Sequence, residues 1–148
     1  NIEKILDPGF VGNPIKINVD LIKEYLENNY IPVISPLGSD KKNTYNINAD
    51  TVAGFIAGKM QSNKLILLTD VQGILDSNNE LISKITLEQA KQMIDKDFIV
   101  GGMKPKVKTC IEALSRGVKE ATILDGHISH AIVLELFTDI GVGTMIQI

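Results

Sequence analysis

The sequence predicts an α/β protein, a three-layer sandwich in which a mainly parallel central sheet has helices on both faces. Strand-type and helix-type segments alternate along the chain with short connections, which favours this layered class. Residues 65–68 form a continuous apolar run of the kind buried on both faces of a parallel sheet. With 148 residues, 44% of them hydrophobic and 22% charged, the chain can bury a sizeable core in one domain.

The sequence of the first 60 residues predicts strand-type segments on both sides of one helix, followed by a second helix. Residues 9–17 are typical of a short strand or hairpin arm, and residues 19–28 show apolar side chains at helical spacing. Residues 31–36 predict a short apolar strand that ends at a proline and Gly38. The polar residues 39–44 predict a loop closing a hairpin onto residues 45–47, and residues 49–60 predict the second helix.

The rest of the sequence predicts further alternation of strands and helices. A turn at residues 77–79 predicts a small hairpin between residues 73–75 and 81–83. Thr86 is expected to open a helix with a capping box, because Gln89 stands three residues later. A helix over residues 105–116 should end at Gly117. Residues 120–124 predict a strand, residues 131–137 a helix and residues 144–148 the last strand.

Composition excludes several classes of function. The net charge is −3, and no cluster of basic residues is present to bind a nucleic acid, so no nucleic-acid partner is expected. No apolar run approaches the roughly 18 residues that cross a bilayer, and no signal peptide is recognisable, so no membrane partner is expected. The single cysteine, Cys110, excludes an internal disulfide framework and fits a reducing compartment. We therefore expect a cytoplasmic protein, or one of the plastid stroma if the gene is organellar.

Two amides and a carboxylate stand at the mouth of the helix predicted over residues 49–60. Asn46, Asn48 and Asp50 are residue types that cap helices, because their side chains accept hydrogen bonds from free backbone N–H groups. The same residues suit a binding cleft, since Asp50 follows Asn46 by about one helical turn. The pattern alone leaves capping and chemistry both open.

A polar turn follows the apolar strand at residues 65–68. Residues 69–73, Thr-Asp-Val-Gln-Gly, lie at its carboxyl end, which is where open α/β sheets place ligands. An ordinary turn after a core strand would have the same composition. Neither G-x-x-x-x-G-K-[ST] nor a strand-linked G-x-G-x-x-G occurs, so the known phosphate-loop motifs do not apply.

Residues 101–106, Gly-Gly-Met-Lys-Pro-Lys, combine two glycines with a helix start. Helix N-termini carry partial positive charge and free N–H groups, and they therefore attract phosphate. Lysine is unfavourable in a first helical turn, so Lys104 and Lys106 suggest a compensating anion. A solvated lysine cluster is the simpler alternative. Cys110 lies at core spacing, and His127 and His130 lack partners for a zinc site, so no metal centre is expected.

Together these segments resemble the amino acid kinase family, and within it the acetylglutamate kinases. The motifs are residues 45–51 (Tyr-Asn-Ile-Asn-Ala-Asp-Thr), 67–75 (Leu-Leu-Thr-Asp-Val-Gln-Gly-Ile-Leu) and 101–106. The resemblance runs nearly end to end but covers only the second half of such an enzyme. It implies the C-terminal half of the carbamate kinase-like fold. Residues 1–148 are thus expected to form the ATP-binding lobe, without the N-terminal substrate lobe.

The resemblance implies roles for individual residues. Asn46 would bind the acyl-amino-acid substrate, Asp50 would organise the catalytic lysines, and Lys106 would stabilise the charge of the transferring phosphoryl group. The nucleotide-binding residues would be Asp70, Val71, Gln72, Gly73, Ile74 and Leu75, with Phe98, Ile99 and Val100 beside the adenine. Glu135 and Gly141 match two contacts of an arginine effector site, although Thr122 stands where relatives have a histidine.

The implied activity is transfer of the γ-phosphoryl group of ATP, with Mg²⁺, to the side-chain carboxylate of N-acetyl-L-glutamate, a step of arginine biosynthesis. Arginine is a candidate effector, and the complete enzyme is expected to be a homo-oligomer. The fragment alone is expected to be inactive. The alternatives are an isolated non-catalytic nucleotide- or effector-binding module, or another family member such as a glutamate 5-kinase or an aspartokinase.

Overall fold

The computed structural model describes residues 9–138 and 141–148. By its internal contacts the chain divides into two compact units, Asn1–Val52 and Ala53–Ile148. The boundary falls inside one helix, α2 (Ala49–Met60), whose limits are those predicted from the sequence.

The first unit contains a helix and a hairpin. Helix α1 (Val19–Glu27) begins where Asn18 accepts a hydrogen bond from the Leu21 N–H at 3.1 Å, and its extent confirms the predicted helix. Strands β1 (Leu37–Ser39) and β2 (Thr44–Asn46) form an antiparallel hairpin around the predicted loop, but its first strand follows residues 31–36 and does not contain them. Of the strand predicted over residues 9–17, only a parallel bridge from Val11 to Asn46 forms among the described residues.

The strand predicted over residues 31–36 is not formed in the part of the chain that the structure describes. Its apolar composition is typical of a strand, but a strand also needs a neighbour to accept and donate hydrogen bonds. Pro32 and Pro36 each remove one backbone donor from this short segment. The prediction was therefore wrong about pairing.

The second unit holds a four-stranded sheet in the order β3-β5-β6-β4. Its strands are β3 (Lys64–Thr69), β4 (Lys84–Thr86), β5 (Glu120–Asp125) and β6 (Gly143–Gln147), and its helices are α3 (Leu87–Asp95), α4 (Met103–Ser115) and α5 (Ala131–Phe137). β5 is parallel to β3, and β4 is parallel to β6. Of the three strand pairs described in this sheet, only the central β5–β6 pair is antiparallel, which confirms a mainly parallel sheet.

Local signals placed most of these elements correctly. Thr86 and Gln89 form the predicted capping box of α3, with hydrogen bonds of 3.1 and 2.8 Å. Helix α4 begins two residues before the predicted start, and Gly117, at φ 103°, follows its end as expected. The small hairpin is reduced to a bridge between Leu75 and Leu81. Strand β4 was not predicted, because three residues are too few for a periodic signal.

The core of the second unit lies between the sheet and helices α3 and α4. Val107, Cys110 and Leu114 of α4 are buried against alternate residues of β3 and β5, among them Leu65 and Ile123. The buried thiol confirms the prediction for Cys110. Residues 65–68 are not buried on both faces as predicted, since Leu68 is 47% exposed. The physical reason is that β3 is an edge strand of the sheet as formed by the described residues, so its outer face is less covered.

The opposite face of the sheet carries helix α5, attached through a buried charge. Glu135 Oε1 accepts hydrogen bonds from the Thr122 hydroxyl at 2.9 Å and from Lys64 Nζ at 3.0 Å. Lys64 also lies 3.0 Å from Glu120. Burial lowers the pKa of Lys64, but the hydrogen bonds to Glu120 and Glu135 outweigh it, so the pKa is raised overall. Helices therefore lie on both faces, as the predicted three-layer class requires.

Among the described residues, no helix is both long enough and apolar enough to cross a membrane. The longest of them, α4, has 13 residues.

Substituting Glu135→Gln should reduce the free energy of unfolding by about 1–2 kcal/mol, because the amide keeps the acceptor for Thr122 but loses the charge facing Lys64. Glu120→Gln is the matched control and should cost less, since that side chain is one-third exposed. Because the pKa of Lys64 is raised on folding, its contribution is complete below about pH 10.4 and is lost as the pH rises further. Urea unfolding between pH 7 and 11 tests this, and a Glu135→Gln penalty that grows with pH would contradict it.

Candidate functional site

The first turn of α2 is capped by Asn48, not by either of its predicted functional neighbours. Asn48 Oδ1 accepts hydrogen bonds from the Thr51 N–H at 3.1 Å and from the Thr51 hydroxyl at 3.3 Å. The capping role that the sequence left open for Asn46, Asn48 and Asp50 thus belongs to Asn48.

Asn46 is held in place through its backbone. Its N–H donates to the Phe10 carbonyl at 2.8 Å, and its carbonyl accepts from the Gly12 N–H at 3.1 Å. The side chain is exposed and, among the described residues, makes no hydrogen bond. Asp50 lies in the first turn of α2 and is half-buried. Both residues belong to the first unit.

In the second unit, the turn after β3 is fixed at the carboxyl ends of two parallel strands. The Gly126 N–H, after β5, donates to the Thr69 carbonyl at 2.8 Å. The Thr69 hydroxyl donates to Asp70 Oδ1 at 3.2 Å. Asp70, Val71 and Gln72 are exposed at this edge of the sheet. Their position is the one that open parallel sheets offer to ligands.

Gly73 and Ile74 carry the turn from the exposed edge into the core. The Ile74 N–H donates to the Thr144 hydroxyl at 2.8 Å, and all three residues are buried. Gly73 has φ 145°, and a Cβ there would lie 2.6 Å from Thr144 Oγ1 and 2.8 Å from Leu81. Only glycine fits this position, because both the dihedral angle and the space exclude a side chain.

Residues 98–100 lie between α3 and α4. The Phe98 and Ile99 N–H groups both donate to the Met93 carbonyl, at 2.9 and 3.3 Å. Ile99 is 3% exposed and anchors the segment in the core, whereas the neighbouring Phe98 and Val100 are 45% and 65% exposed. The anchor leaves two apolar side chains available at the surface.

Helix α4 begins without a side-chain cap at Gly102. Of its first three residues, Lys104 donates its N–H to the Gly101 carbonyl at 3.2 Å and Pro105 has no N–H. Within the described part of the chain, the Met103 N–H has no hydrogen-bond partner and is therefore available to an anion. Lys104 Nζ lies 2.7 Å from Asp97 Oδ1, and this hydrogen bond lowers the pKa of Asp97. The anion that the sequence suggested for Lys104 is thus supplied by Asp97 of the same chain. Lys106 is half-buried in the same turn.

Three of the predicted segments lie toward one edge of the sheet. Helix α4 packs against β3 and β5 and precedes β5 directly, so its N-terminus lies toward the carboxyl ends of those strands. Residues 98–100 lead into that N-terminus, and residues 70–75 leave β3 at the same edge. Residues 70–75, residues 98–100 and the first turn of α4 are called the nucleotide edge below, after the ligand that the sequence predicts for them.

The remaining candidates lie elsewhere. Glu135 is engaged with Lys64 and Thr122, and Gly141 is exposed, where a Cβ would meet nothing within 4 Å. Asp139 and Ile140, which lie between Glu135 and Gly141 in the sequence, are outside the described residues. The exposed His127 ring pairs with Asp125 at 2.8 Å. In the described ranges, no group of three or more His, Cys, Asp or Glu residues is placed to hold a metal ion.

Sequence analysis did not identify two residues that shape this region. Thr144 positions the turn at Ile74 from 70 residues away, and no local pattern points to such a partner. Asp97 stands seven residues before Lys104, and its pairing depends on the turn after α3.

Comparison with known proteins shows the family to which the chain belongs. The model of the amino acid kinase family matches residues 2–125, and the chain belongs to that family. It is 51% identical to the acetylglutamate kinase of Parvibaculum lavamentivorans over 99% of its own length and 49% of that protein. It is 49% identical to the acetylglutamate kinase of Geobacter metallireducens over 99% of its length and 50% of that protein. The predicted resemblance is thereby confirmed, and the chain spans about half the length of these relatives.

Solved structures agree with the fold. N-acetylglutamate synthase from Neisseria gonorrhoeae, complexed with coenzyme A and L-arginine, matches with a TM-score of 0.88 and 25% identity over 96% of this chain and 33% of that one. Carbamate kinase from Giardia lamblia bound to AMP-PNP matches with a TM-score of 0.74 and 22% identity over 93% of this chain and 46% of that one. The predicted carbamate kinase-like fold is confirmed.

Substituting Gly73→Ala should destabilise the second unit by about 1–3 kcal/mol, because the new Cβ meets Thr144 and Leu81 at an unfavourable φ. Gly102→Ala is the control, since φ there is −65° and a Cβ would meet nothing within 4 Å. Chemical denaturation of both variants measures the difference. Equal stability of the two variants would show that the turn at Gly73 tolerates a side chain.

Proposed function

We propose that this chain supplies the nucleotide-binding lobe of an acetylglutamate kinase. The complete enzyme would transfer the γ-phosphoryl group of Mg-ATP to the side-chain carboxylate of N-acetyl-L-glutamate, a step of arginine biosynthesis in the cytoplasm or plastid stroma. The observation that carries the proposal is the nucleotide edge. There, a turn held by the Ile74–Thr144 hydrogen bond lies at the same edge as an uncapped helix N-terminus bearing Lys106.

The two sides of the nucleotide edge suit different parts of a nucleotide. Phe98 and Val100 offer apolar side chains of the kind that cover a flat base. The Met103 N–H at the start of α4 and the ammonium of Lys106 suit phosphate oxygens. Magnesium would enter bound to the ATP phosphates, as part of the substrate, because this ion retains waters and relies on phosphate oxygens.

The proposed chemistry needs few protein groups. Phosphoryl transfer depends mainly on positioning and on neutralising the charge that develops on the transferring group. In this proposal Lys106 stabilises that charge, Asp50 orients lysine side chains and Asn46 holds the acyl-amino-acid. The exposed side-chain amide of Asn46 is free, among the described residues, to bind a ligand.

Arginine regulation at Glu135 and Gly141 stays a prediction. The Glu135 carboxylate already accepts hydrogen bonds from Lys64 and Thr122. An arginine guanidinium would have to share or displace the Lys64 ammonium at that carboxylate. Homo-oligomer formation by the complete enzyme likewise stays a prediction.

The second candidate is that the 148-residue chain by itself is a non-catalytic nucleotide-binding module; the chain spans about half of the relatives that it matches. A coupled kinase assay with N-acetyl-L-glutamate on the 148-residue chain separates the functions of fragment and complete enzyme. We expect nucleotide binding without turnover, since holding donor and acceptor in line is worth on the order of 7–11 kcal/mol and requires both lobes. Turnover by the isolated chain would show that the active site lies elsewhere.

In the complete enzyme, Lys106→Ala should lower kcat by about 10²–10³ while changing the KM for ATP much less, because its charge acts mainly as phosphoryl charge develops. Lys108→Ala is the control, since Lys108 is an exposed lysine on the same helix. Steady-state kinetics at saturating N-acetyl-L-glutamate measure both constants. An unchanged kcat with only a raised KM would assign Lys106 to binding alone.

A further inference from the structure

A carboxylate and an imidazole are held together at the carboxyl end of β5. Asp125 Oδ1 accepts a hydrogen bond from the His127 backbone N–H at 2.8 Å and lies 2.8 Å from Nδ1 of the His127 ring. The Asp125 side chain is 17% exposed, whereas the His127 side chain is 76% exposed. Between them, the Gly126 N–H donates to the Thr69 carbonyl at the end of β3. The pair is thus fixed beside the start of the turn at residues 70–75.

Asp125 lies on the face of the sheet that carries α4. Side chains alternate between the two faces along a strand, so Asp125 shares a face with Ile123, which belongs to the core formed with α4. Thr69 is the register partner of Asp125 and lies on the same face as Leu67 of that core. The N-terminus of α4 lies toward the same ends of these strands. The pair therefore lies on the side of the sheet where the nucleotide edge lies.

The positions of the protons in this pair follow from the charge of Asp125. The hydrogen bonds from His127, first from its backbone N–H and then from its ring, hold the pKa of Asp125 below its ordinary value. An ionised carboxylate only accepts hydrogen bonds, so Nδ1 of His127 is the donor. In the neutral ring, Nε2 is then an acceptor. In the part of the chain that the structure describes, this nitrogen has no hydrogen-bond partner.

Only some parts of a nucleotide can donate a hydrogen bond to such an acceptor. Ionised phosphate oxygens have no proton to donate, and the carboxylates of Asp70 and Asp125 at this edge would repel them. In the proposed function the base lies against Phe98 and Val100. The two hydroxyl groups of the ribose are therefore the donors that remain. The ribose joins the base to the phosphates, and these are assigned to consecutive parts of the chain, residues 98–100 and the first turn of α4.

We propose that His127 is a ribose-binding residue whose Nε2 accepts a hydrogen bond from a ribose hydroxyl of ADP or ATP, while Asp125 positions the ring. The inference rests on the proposed function, and it adds to the nucleotide edge a residue from the loop after β5. Because Asp125 already restrains the ring, little side-chain freedom is lost when the hydroxyl binds. A nucleotide with the same base and phosphates but without these hydroxyls should bind less tightly.

The test compares ADP with dideoxy-ADP, which lacks both ribose hydroxyls, by calorimetric titration of the 148-residue chain. The wild-type chain should bind ADP about fivefold to tenfold more tightly, as expected for the loss of a hydrogen bond. His127→Ala should lower the affinity for ADP by a similar factor and leave the affinity for dideoxy-ADP unchanged. The same substitution should change the melting temperature by less than about 2 °C, because the side chain is mostly exposed.

His130→Asn is the matched control, because His130 is an exposed histidine of the same loop. Its φ of 59° is one that asparagine adopts readily, and both affinities should be retained. Asp125→Asn tests the positioning role. It should weaken the preference for ADP in the wild-type chain and have no further effect on that preference in the His127→Ala chain, since Asp125 acts through His127.

Three outcomes would overturn the inference and leave nucleotide binding standing. These are a wild-type chain that binds ADP and dideoxy-ADP equally, a His127→Ala chain with unchanged affinity for ADP, and a His127→Ala chain that loses equal affinity for both ligands. The last would place His127 against the base or the phosphates. A wild-type chain that binds neither ligand would overturn the proposed function together with the inference.

Discussion

The register between β5 and β6 is the constraint on which the rest of the second unit depends. Residues 121–124 of β5 are all buried, and this strand pairs in parallel with β3 and antiparallel with β6. Pairing Ile123 with Thr144 brings the Thr144 hydroxyl to the edge where β3 ends. The fit is close, because a Cβ at Gly143 would overlap the Ile123 carbonyl. A slip of one residue would move Thr144 to the other face and release the turn at Ile74.

Helices could be predicted from the sequence where the signal is local. The limits of α2 and α5 agree with the prediction, as does the Thr86–Gln89 capping box, because each rests on residues one turn apart. Strands were predicted less well, since pairing depends on partners that are distant in the chain. Residues 31–36 have strand composition but no neighbour in the described part, and β4 is short and exists through its pairing with β6.

In the candidate site, too, the features with a local sequence signal could be predicted and those that depend on the folded geometry could not. The sequence located the turn at residues 70–75 and the helix start at residues 101–106, and the structure brings both to one edge of the sheet. It could not assign the capping role to Asn48 among three similar residues, nor foresee that Asp97 neutralises Lys104. Those outcomes depend on local geometry that residue types alone do not fix. The catalytic roles of Lys106 and Asp50 stay predictions from the family.

The central claim is that the nucleotide edge binds ADP and ATP, and amide hydrogen exchange of this chain with and without saturating ADP tests it most directly. The account predicts slower exchange at residues 70–75, at residues 98–100 and at Met103 in the first turn of α4, where the N–H would meet phosphate. Exchange in α1, which belongs to the first unit, should not change. ADP binding that protects other segments and leaves these three unchanged would contradict the account.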